Sequence, residues 1–470
     1  MSFFSRLRNR TSTRSPRWDG FQIRPTAPRF RPRLEALEDR WLLSTLTVTN
    51  NLDSGPGSLR AEIAAAHNSK DTIVFAPSLT GQTITLTSAE LLISTGVTIQ
   101  GPGAGQLTVS GNNQFRVFEV NAGQPVALTG LTISNGRNGI LNHTTLTISS
   151  CTITQSYGGV GNSGTLTVSG CTISGNRAVG IGNSGTLTVS GCTISGNIIG
   201  GINNIGTMTV SGCTITGNHS TVLPGGGIRN LGTLTVSDST IAGNSASNST
   251  GHGGGLFAGG TVTLTNCTLS DNFAQYGGGA VYADTSSSVT LTNCTLANNS
   301  TGFGSYGGGL FVNSGTDLHF TTVNVTNCTV SGNGATFGGG IYVNTSWKRL
   351  ILNNTIVAGN TVSSGFPQYG PDIYGYVSGA IHNLVGDATG SNGIFNGRNG
   401  NIVGGNGLPV INADLGPLQN NGGPTQTMAL LAGSPAIGHA DNTFAPAKDQ
   451  RGFTRLDVPG ENTDIGAFEL

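Results

Sequence analysis

The chain has 470 residues, 22 basic against 22 acidic side chains, and therefore a formal charge of zero; only 9% of it is charged, while 75 positions are glycine. An ordinary globular domain carries roughly 25% charge, so solubility here rests on Thr, Ser and Asn, and a charged disordered chain is excluded. No apolar run approaches the ~18 residues of a membrane-spanning helix, and the composition favours one long repeat array over two or three compact domains.

The zero charge conceals an asymmetry. Residues 1–44 hold ten arginines against Asp19, Glu35, Glu38 and Asp39, a net +6 balanced by −6 in the remainder. This Pro-interrupted leader lacks helical periodicity and a folded basic domain beside it, so a nucleic-acid arm is set aside in favour of a targeting or processing segment, although the apolar core of a usual signal peptide is missing. Its end, RPRLEALEDRWLLS (31–44), resembles the N-terminal motif that recurs before large exported proteins of planctomycete bacteria. The resemblance implies export, with a mature protein starting near Thr45.

Residues 45–124 read as an N-terminal cap and first coils. TLTVTNNLDSGPGSLRAEIAAAHNSKDTIVF predicts a strand, a turn, a short amphipathic helix with Leu59, Ile63 and Ala66 on one face, and a strand at Thr72 to Phe75. It resembles the segment found before many bacterial β-helices, in which GSLR precedes an Ala-rich helix.

Residues 125–380 repeat the pattern LTVSGCTISGN. One column holds Cys151, Cys171, Cys192, Cys213, Cys267, Cys294 and Cys328, with Leu131, Ser239 and Asn354 in the remaining coils, and coil lengths run from 20 to 34 residues. Aliphatic side chains stand two residues after it (Ile173, Ile194, Val330, Ile356) and three and five before it (Val168 and Leu166, Val189 and Leu187, Ile351), alternating with Thr and Ser. That period of two makes short strands with one buried and one wet face, and Gly or Asn before the Cys marks a bend. A fixed period of short strands and turns predicts a solenoid, whose single coil cannot bury enough to fold alone. Parallel strands joined by crossovers take the right-handed sense. The expected fold is all-β, a right-handed parallel β-helix of the pectate-lyase-like kind with a short helical cap.

Five residues past the Cys stands a second column: Asn176, Asn197, Asn218, Asn244, Asn272, Asn299 and Asn333, with Asn360 one residue later. A stacked Asn can bond to backbone and to its copy in the next coil, so this ladder is structural. The seven cysteines, stacked about 4.8 Å apart with parallel Cβ directions, are too far apart for disulfides and read as buried free thiols, small hydrophobes with no metal or nucleophilic role.

From Gly225 the coils lengthen and gain glycine blocks ending at Ile228, Leu256, Ala280, Leu310 and Ile341. Over roughly Asn218 to Val343 this resembles the paired short motifs of chlamydial polymorphic outer-membrane proteins, which are β-helical adhesins. No long C-terminal β-barrel follows. Residues 381–470 end in DLGPLQNNGGPTQTMALLAGSPAIGHA, DQRG and DIGAFE, which resemble the choice-of-anchor Q domain of exported bacterial β-helix proteins. The resemblance implies surface attachment or sorting; Gly438 departs from the usual Asp after SPAI. Asp449, Arg451 and Asp464 could pair or hold a cation, but the preferred reading is solvated turn residues.

The fold also carries pectin-degrading enzymes, whose chemistry demands clustered carboxylates or a Ca²⁺ cage with a base. Between Gly101 and Gly370 only Glu119, Asp238, Asp271, Asp284 and Asp317 are acidic, at offsets that do not stack into one site. His143, His219 and His319 share no ligand spacing and read as solvated turn residues, and GHG (251–253) and NTD (462–464), strings resembling those of polygalacturonases, stand in reversed order. No catalytic residue, cofactor or metal is assigned. The outward threonines remain: Thr165, Thr167, Thr186, Thr188, Thr207, Thr209, Thr233 and Thr235 would form a hydroxyl-and-methyl ladder able to bind an ordered ligand such as glycan or ice, although Thr is also a favoured strand residue. The expectation is an exported, cell-surface or secreted structural or adhesive rod. Its expected partners are extracellular polysaccharide or cell-envelope components, with no nucleic acid and no transmembrane span; the alternative is a polysaccharide lyase or glycoside hydrolase acting on an acidic polysaccharide.

Overall fold

A computed structural model of the protein describes residues 44–313, 321–344, 350–363, 367–455 and 461–470. Asp317, His319 and all of the leader motif but Ser44 lie outside the described residues.

The alternation seen in the sequence becomes a three-sided coil. Around Cys171 the chain runs through Thr165–Ser169 in a first sheet, Thr172–Ser174 in a second and Ile181–Asn183 in a third, then enters the next coil. Each described strand of the coils pairs in parallel with its copy one coil away, here in unshifted register: Thr165 on Thr186, Ile173 on Ile194, Ile181 on Ile202. Among the described residues the three sheets have 14, 14 and 13 strands, and a narrow fourth of six two-residue strands opens at His219–Ser220. The first sheet begins at Thr45–Val48 and the second ends at Ile402–Val403, so rungs lie on both sides of the LTVSGCTISGN stretch. At ~4.8 Å per rung, 14 rungs make a right-handed parallel β-helix about 60 Å long. Among the described residues no helix is long and apolar enough to cross a membrane.

Both corners of the second sheet need a left-handed residue. Gly170, Gly191 and Gly212 (φ 57° to 58°) fill the slot before the Cys, and Asn266, Asn293, Asn327 and Asn354 (φ 48° to 56°) fill it in later coils. Gly and Asn reach this region at least cost, which is why the sequence favours them there; Ser150 (φ 51°) fills the slot before Cys151. Asp238 (φ 49°) and Asp271 (φ 55°) occupy such slots, one before and one four after the Cys column.

The interior is one continuous apolar column. Val168, Ile173 and Ile181 and their copies are fully buried. At the N-terminal end the helix Leu59–Ala65 starts on Ser58, whose hydroxyl accepts the Ala61 N–H, and buries Leu59 and Ile63 on the first coils.

Register corrects the sequence alignment in two coils. Thr329 pairs with Ile356 and Val330 with Val357, so Thr355, not Asn354, stands in the Cys column. Leu352 and Val357 then point inward, Ile351 is 37% exposed, and Asn360 falls five residues past Thr355, in line with its column. Asn354 belongs one place earlier because that corner requires a left-handed residue. In the glycine blocks Val281, not Ala280, continues Leu256 and Leu310, since the block's first, left-handed glycine is Gly278.

The tail folds back on the rod. Its antiparallel hairpin, Leu415–Gln419 with Thr427–Leu430, and the segment around Asp464 to Phe468 lie over the outer face of the second sheet. There they share a small apolar core of Ile356, Leu384, Leu430, Ala436, Ile465 and Phe468.

Candidate ligand-binding face

The outer side of the first sheet carries the predicted threonines in straight columns. Thr165, Thr186, Thr207 and Thr233 pair in succession, as do Thr167, Thr188, Thr209 and Thr235. All are exposed except Thr167, which is half-buried. A third column, Ser169, Ser190, Ser211 and Ser237, runs beside them. Rungs ~4.8 Å apart and alternate residues ~6.8 Å apart along a strand give a flat lattice of hydroxyls and methyls without a charged side chain. Among the described residues none of the eight threonine hydroxyls is hydrogen-bonded within the protein, so the lattice is free to meet a ligand.

A narrower array on the second sheet was not read from the sequence. Thr172, Thr193 and Thr214 are exposed in line, yet Thr268, Thr295 and Thr329 further down the same column are buried under the tail. The Thr268 hydroxyl donates to Gln426 O, that of Thr295 donates to Gln450 Oε1 (2.6 Å), and that of Thr329 accepts the Ala467 N–H (3.1 Å).

The asparagine and cysteine columns lie inside. Asn176 Nδ2 donates to Asn197 Oδ1 (2.9 Å) and to Ile153 O (3.3 Å), and Asn197, Asn218, Asn244, Asn272, Asn299 and Asn333 continue the chain of amides to Asn360. A second ladder of Asn142, Asn162, Asn183, Asn204 and Asn230, each Nδ2 to the next Oδ1, turns the corner from the third sheet to the first. Its signal, Asn three residues before TLT or TMT, stood in the sequence unread. All seven cysteines are free and buried. They are more than small hydrophobes: the Cys171 N–H points at Cys192 Sγ (3.3 Å), and the Cys213 N–H reaches Ser239 Oγ (3.0 Å), so beyond Leu131 the column takes a small side chain with a lone pair, which Ser239 and Thr355 also supply. The neighbouring Cys151 thiol and burial hold Cys171 up at about 11, so it stays a protonated thiol.

The glycine blocks are flanked by rings. Phe257, Tyr282, Phe311, Tyr342 and Tyr374 form one outward column of the third sheet, with centroids 4.7 to 5.5 Å apart and planes within 17° of parallel. His252 stacks on Tyr282 at 4.4 Å, and Tyr306 and Phe337 form a second row. The blocks make room for them: a Cβ on Gly277 would come within 3.2 Å of the Phe311 ring. Because each ring spends its faces on the next, the column presents edges outward and offers no open face on which a sugar would stack. Burial pulls the His252 pKa below its ordinary value and lifts Tyr342 to about 12.

Among the described residues the acids of the coils do not converge. Glu119 pairs with Arg116 and with His143 Nε2 (3.2 Å), so His143 is partnered rather than simply solvated, and the His219 ring bonds Ser245 and Ser247. Asp284 accepts from Asn313 Nδ2 (3.1 Å), while Asp238 and Asp271 sit in corners. Among the described residues no group of three or more His, Cys, Asp or Glu is placed to hold a metal.

In the tail, Asp449 and Asp464 are buried, which corrects the solvated reading: packing the tail on the rod encloses them. Asp449 Oδ1 accepts the Arg451 and Phe453 N–H groups, and its Oδ2 accepts Arg451 Nε (2.7 Å) and the Glu469 N–H. Asp464 accepts the N–H groups of Gly438 and Leu470. Arg451 lies 3.6 Å from the Phe468 ring centre and 4.6 Å from that of Phe453, and Arg455 pairs with Glu469 at 2.7 Å.

No curated protein sequence matches this chain. Several solved structures are similar to it. Pectate lyase Pel9A is 15% identical, with a TM-score of 0.41, and the match covers 91% of this chain and 96% of that one. The mannuronan C-5 epimerase AlgE6 A-module of Azotobacter vinelandii is 14% identical, with a TM-score of 0.48, over 72% and 99%. A mannuronic acid specific polysaccharide family 6 lyase from human gut microbiota is 10% identical, with a TM-score of 0.41, over 77% and 91%. By sequence, the family described as "Right handed beta helix region" matches residues 183–362, the stretch in which the Asn column, the cysteine column and the glycine blocks coincide.

Proposed function

We propose that this chain is an exported, cell-surface or secreted rod that holds an extended polysaccharide against the threonine lattice of its first sheet without turning it over. The observation that carries the reading is the lattice: eight threonines on four consecutive rungs, in unshifted register, their hydroxyls unused by the protein. A glycan chain offers a matching series of hydroxyls and C–H faces. Support for display outside the cell comes from the resemblances of residues 31–44 to a planctomycete export motif, of the glycine-block coils to chlamydial adhesins and of the tail to choice-of-anchor Q domains. The scattered acids Glu119, Asp238, Asp271 and Asp284, each already hydrogen-bonded or placed in a corner, argue for adhesion over catalysis.

The test is binding of the full chain to a panel of immobilised polysaccharides, with product analysis. The Thr188→Lys, Thr209→Lys double variant sets two charges on the lattice without touching the core, and binding is expected to fall at least tenfold with the circular dichroism spectrum retained. Unchanged binding refutes the threonine face, and unsaturated products or new reducing ends refute the non-catalytic reading in favour of a lyase or hydrolase.

A further inference from the structure

The rod ends unevenly. The first sheet stops at Gly379–Ile381, whereas the third continues to Ser391–Asn392 and the second to Ile402–Val403. In the last coil, residues 393–401 pass the place of a first-sheet strand without forming one, turning instead through the short 3₁₀ segment Arg398–Gly400. A cleft of about 810 Å³ lies there, bordered by Tyr376, Asn392, Phe395, Arg398 and Asn399. It falls within the range of ~300–1,000 Å³ usual for small-ligand sites. Gly393, on its border, is required by the backbone: it sits at φ 88°, and a Cβ there would come within 2.1 Å of Val377 O.

We infer that this cleft binds the end of an acidic oligosaccharide, a short chain containing uronic acid. Two aromatic residues, Tyr376 and Phe395, border it, and neither ring belongs to the closed stack of the third sheet; Phe395 is 54% exposed. Asn392 and Asn399 bring amides of both polarities for sugar hydroxyls. Arg398 lies over Phe395 with its guanidinium carbon 6.0 Å from the ring centre, and among the described residues no carboxylate pairs with it. A free guanidinium beside aromatic rings, in a cleft without an acid, selects a ligand with both a carboxylate and apolar C–H faces. An added peptide strand is disfavoured because the edge is already occupied: Asn399 Nδ2 (3.3 Å) and Asn401 Nδ2 (3.0 Å) both donate to Ala380 O, and the His382 N–H donates to Asn399 O. The inference does not rest on the threonine lattice, which lies on other coils.

The experiment is calorimetric titration of the full chain with trimers of galacturonate, mannuronate, guluronate and glucuronate, with maltotriose as the neutral control. At least one acidic trimer binds and maltotriose binds at least tenfold more weakly. Arg398→Gln weakens the acidic trimer at least tenfold and Phe395→Ala several-fold, both at exposed positions that leave the fold unchanged, while Thr188→Lys with Thr209→Lys has no effect. Failure of all four trimers to bind, equal binding of maltotriose, or Arg398→Gln binding as the parent overturns the assignment, and so does an extended peptide that competes for the site.

Discussion

Replacing Asn197 by Ala probes what keeps the coils in register. Its Oδ1 accepts the Asn176 N–H (3.1 Å) and Asn176 Nδ2 (2.9 Å), and its Nδ2 donates to Asn218 Oδ1 (2.8 Å) and Ile173 O (3.2 Å). Four bonds at about 1 kcal/mol net each come to about 4 kcal/mol, and the buried Asn176 N–H left without an acceptor adds ~1–3 kcal/mol. In a solenoid the loss falls on the altered coil and its neighbours. Together these come to about 5–7 kcal/mol, so hydrogen exchange by mass spectrometry is expected to show amides of the Cys171 to Cys213 coils exchanging roughly 10⁴-fold faster, with the coils beyond Asn299 unchanged. Thr188→Ala, a surface control, is expected to stay within about 0.5 kcal/mol. A loss under about 1 kcal/mol by urea unfolding, small beside that estimate, or one spread evenly along the rod, would refute the reasoning. Asn197→Asp keeps the double acceptor but sets a second carboxylate oxygen against Asn218 Oδ1 and Ile173 O, so it destabilises more than Ala at neutral pH.

Two further outcomes follow from the same kind of accounting. The fully buried Gln450 donates to Thr268 Oγ1 and Thr425 Oγ1 (both 2.9 Å) and accepts from Thr295 (2.6 Å), so Gln450→Ala is expected to lower protection of residues 411–470 by about 3 kcal/mol, with the coils keeping theirs. Unchanged tail exchange would show that Gln450 does not hold the tail. Asp372 ends the amide ladder: its Oδ1 accepts from Asn360 and its Oδ2 from the Asp387 N–H, and burial raises its pKa to about 6. A carboxyl raised in the folded state is stabilising in its protonated form, so its contribution is complete below its unfolded value of 3.8 and is lost as pH rises through about 6. Thermal unfolding is expected to show that decline between pH 4 and pH 7, with Asp372→Asn flattening it, and equal slopes in the two proteins would count against the assignment.

The fold was legible because stacking turns one local rule into a column. Leu, Val, Cys and Ile at fixed offsets from the Cys gave the interior, and Gly or Asn before it gave the left-handed corner. The alignment slipped at Asn354 and Ala280 for one reason: residue likeness was followed, Ile356 taken as the aliphatic two after the column and GGGA as another GGGL, where the left-handed residues Asn354 and Gly278 fix the register. The threonine lattice was read from alternation alone. The aromatic column was missed although HGGGLF, YGGGAVY, YGGGLF and FGGGIY spell it out, because the glycines were read as turns and not as space for rings. The end cleft could not have been found from the sequence, since it arises from a strand that does not form.

The docked tail also bears on how the molecule carries load. Ala467 donates to Thr329 Oγ1 and Gly466 to Asn354 O, so the chain reaches Leu470 beside the coils of Cys328 and Thr355 and not at the last rung. Tension applied at Leu470 therefore enters the shaft from its side. It must first shear Arg455 from Asn293 and Gln450 from Thr268 and Thr295 before it reaches the final coil, whereas a solenoid pulled from an undocked end unwinds one turn at a time. Under such a load these tail contacts would open before the last rung, and the rod behind them would stay wound until they did.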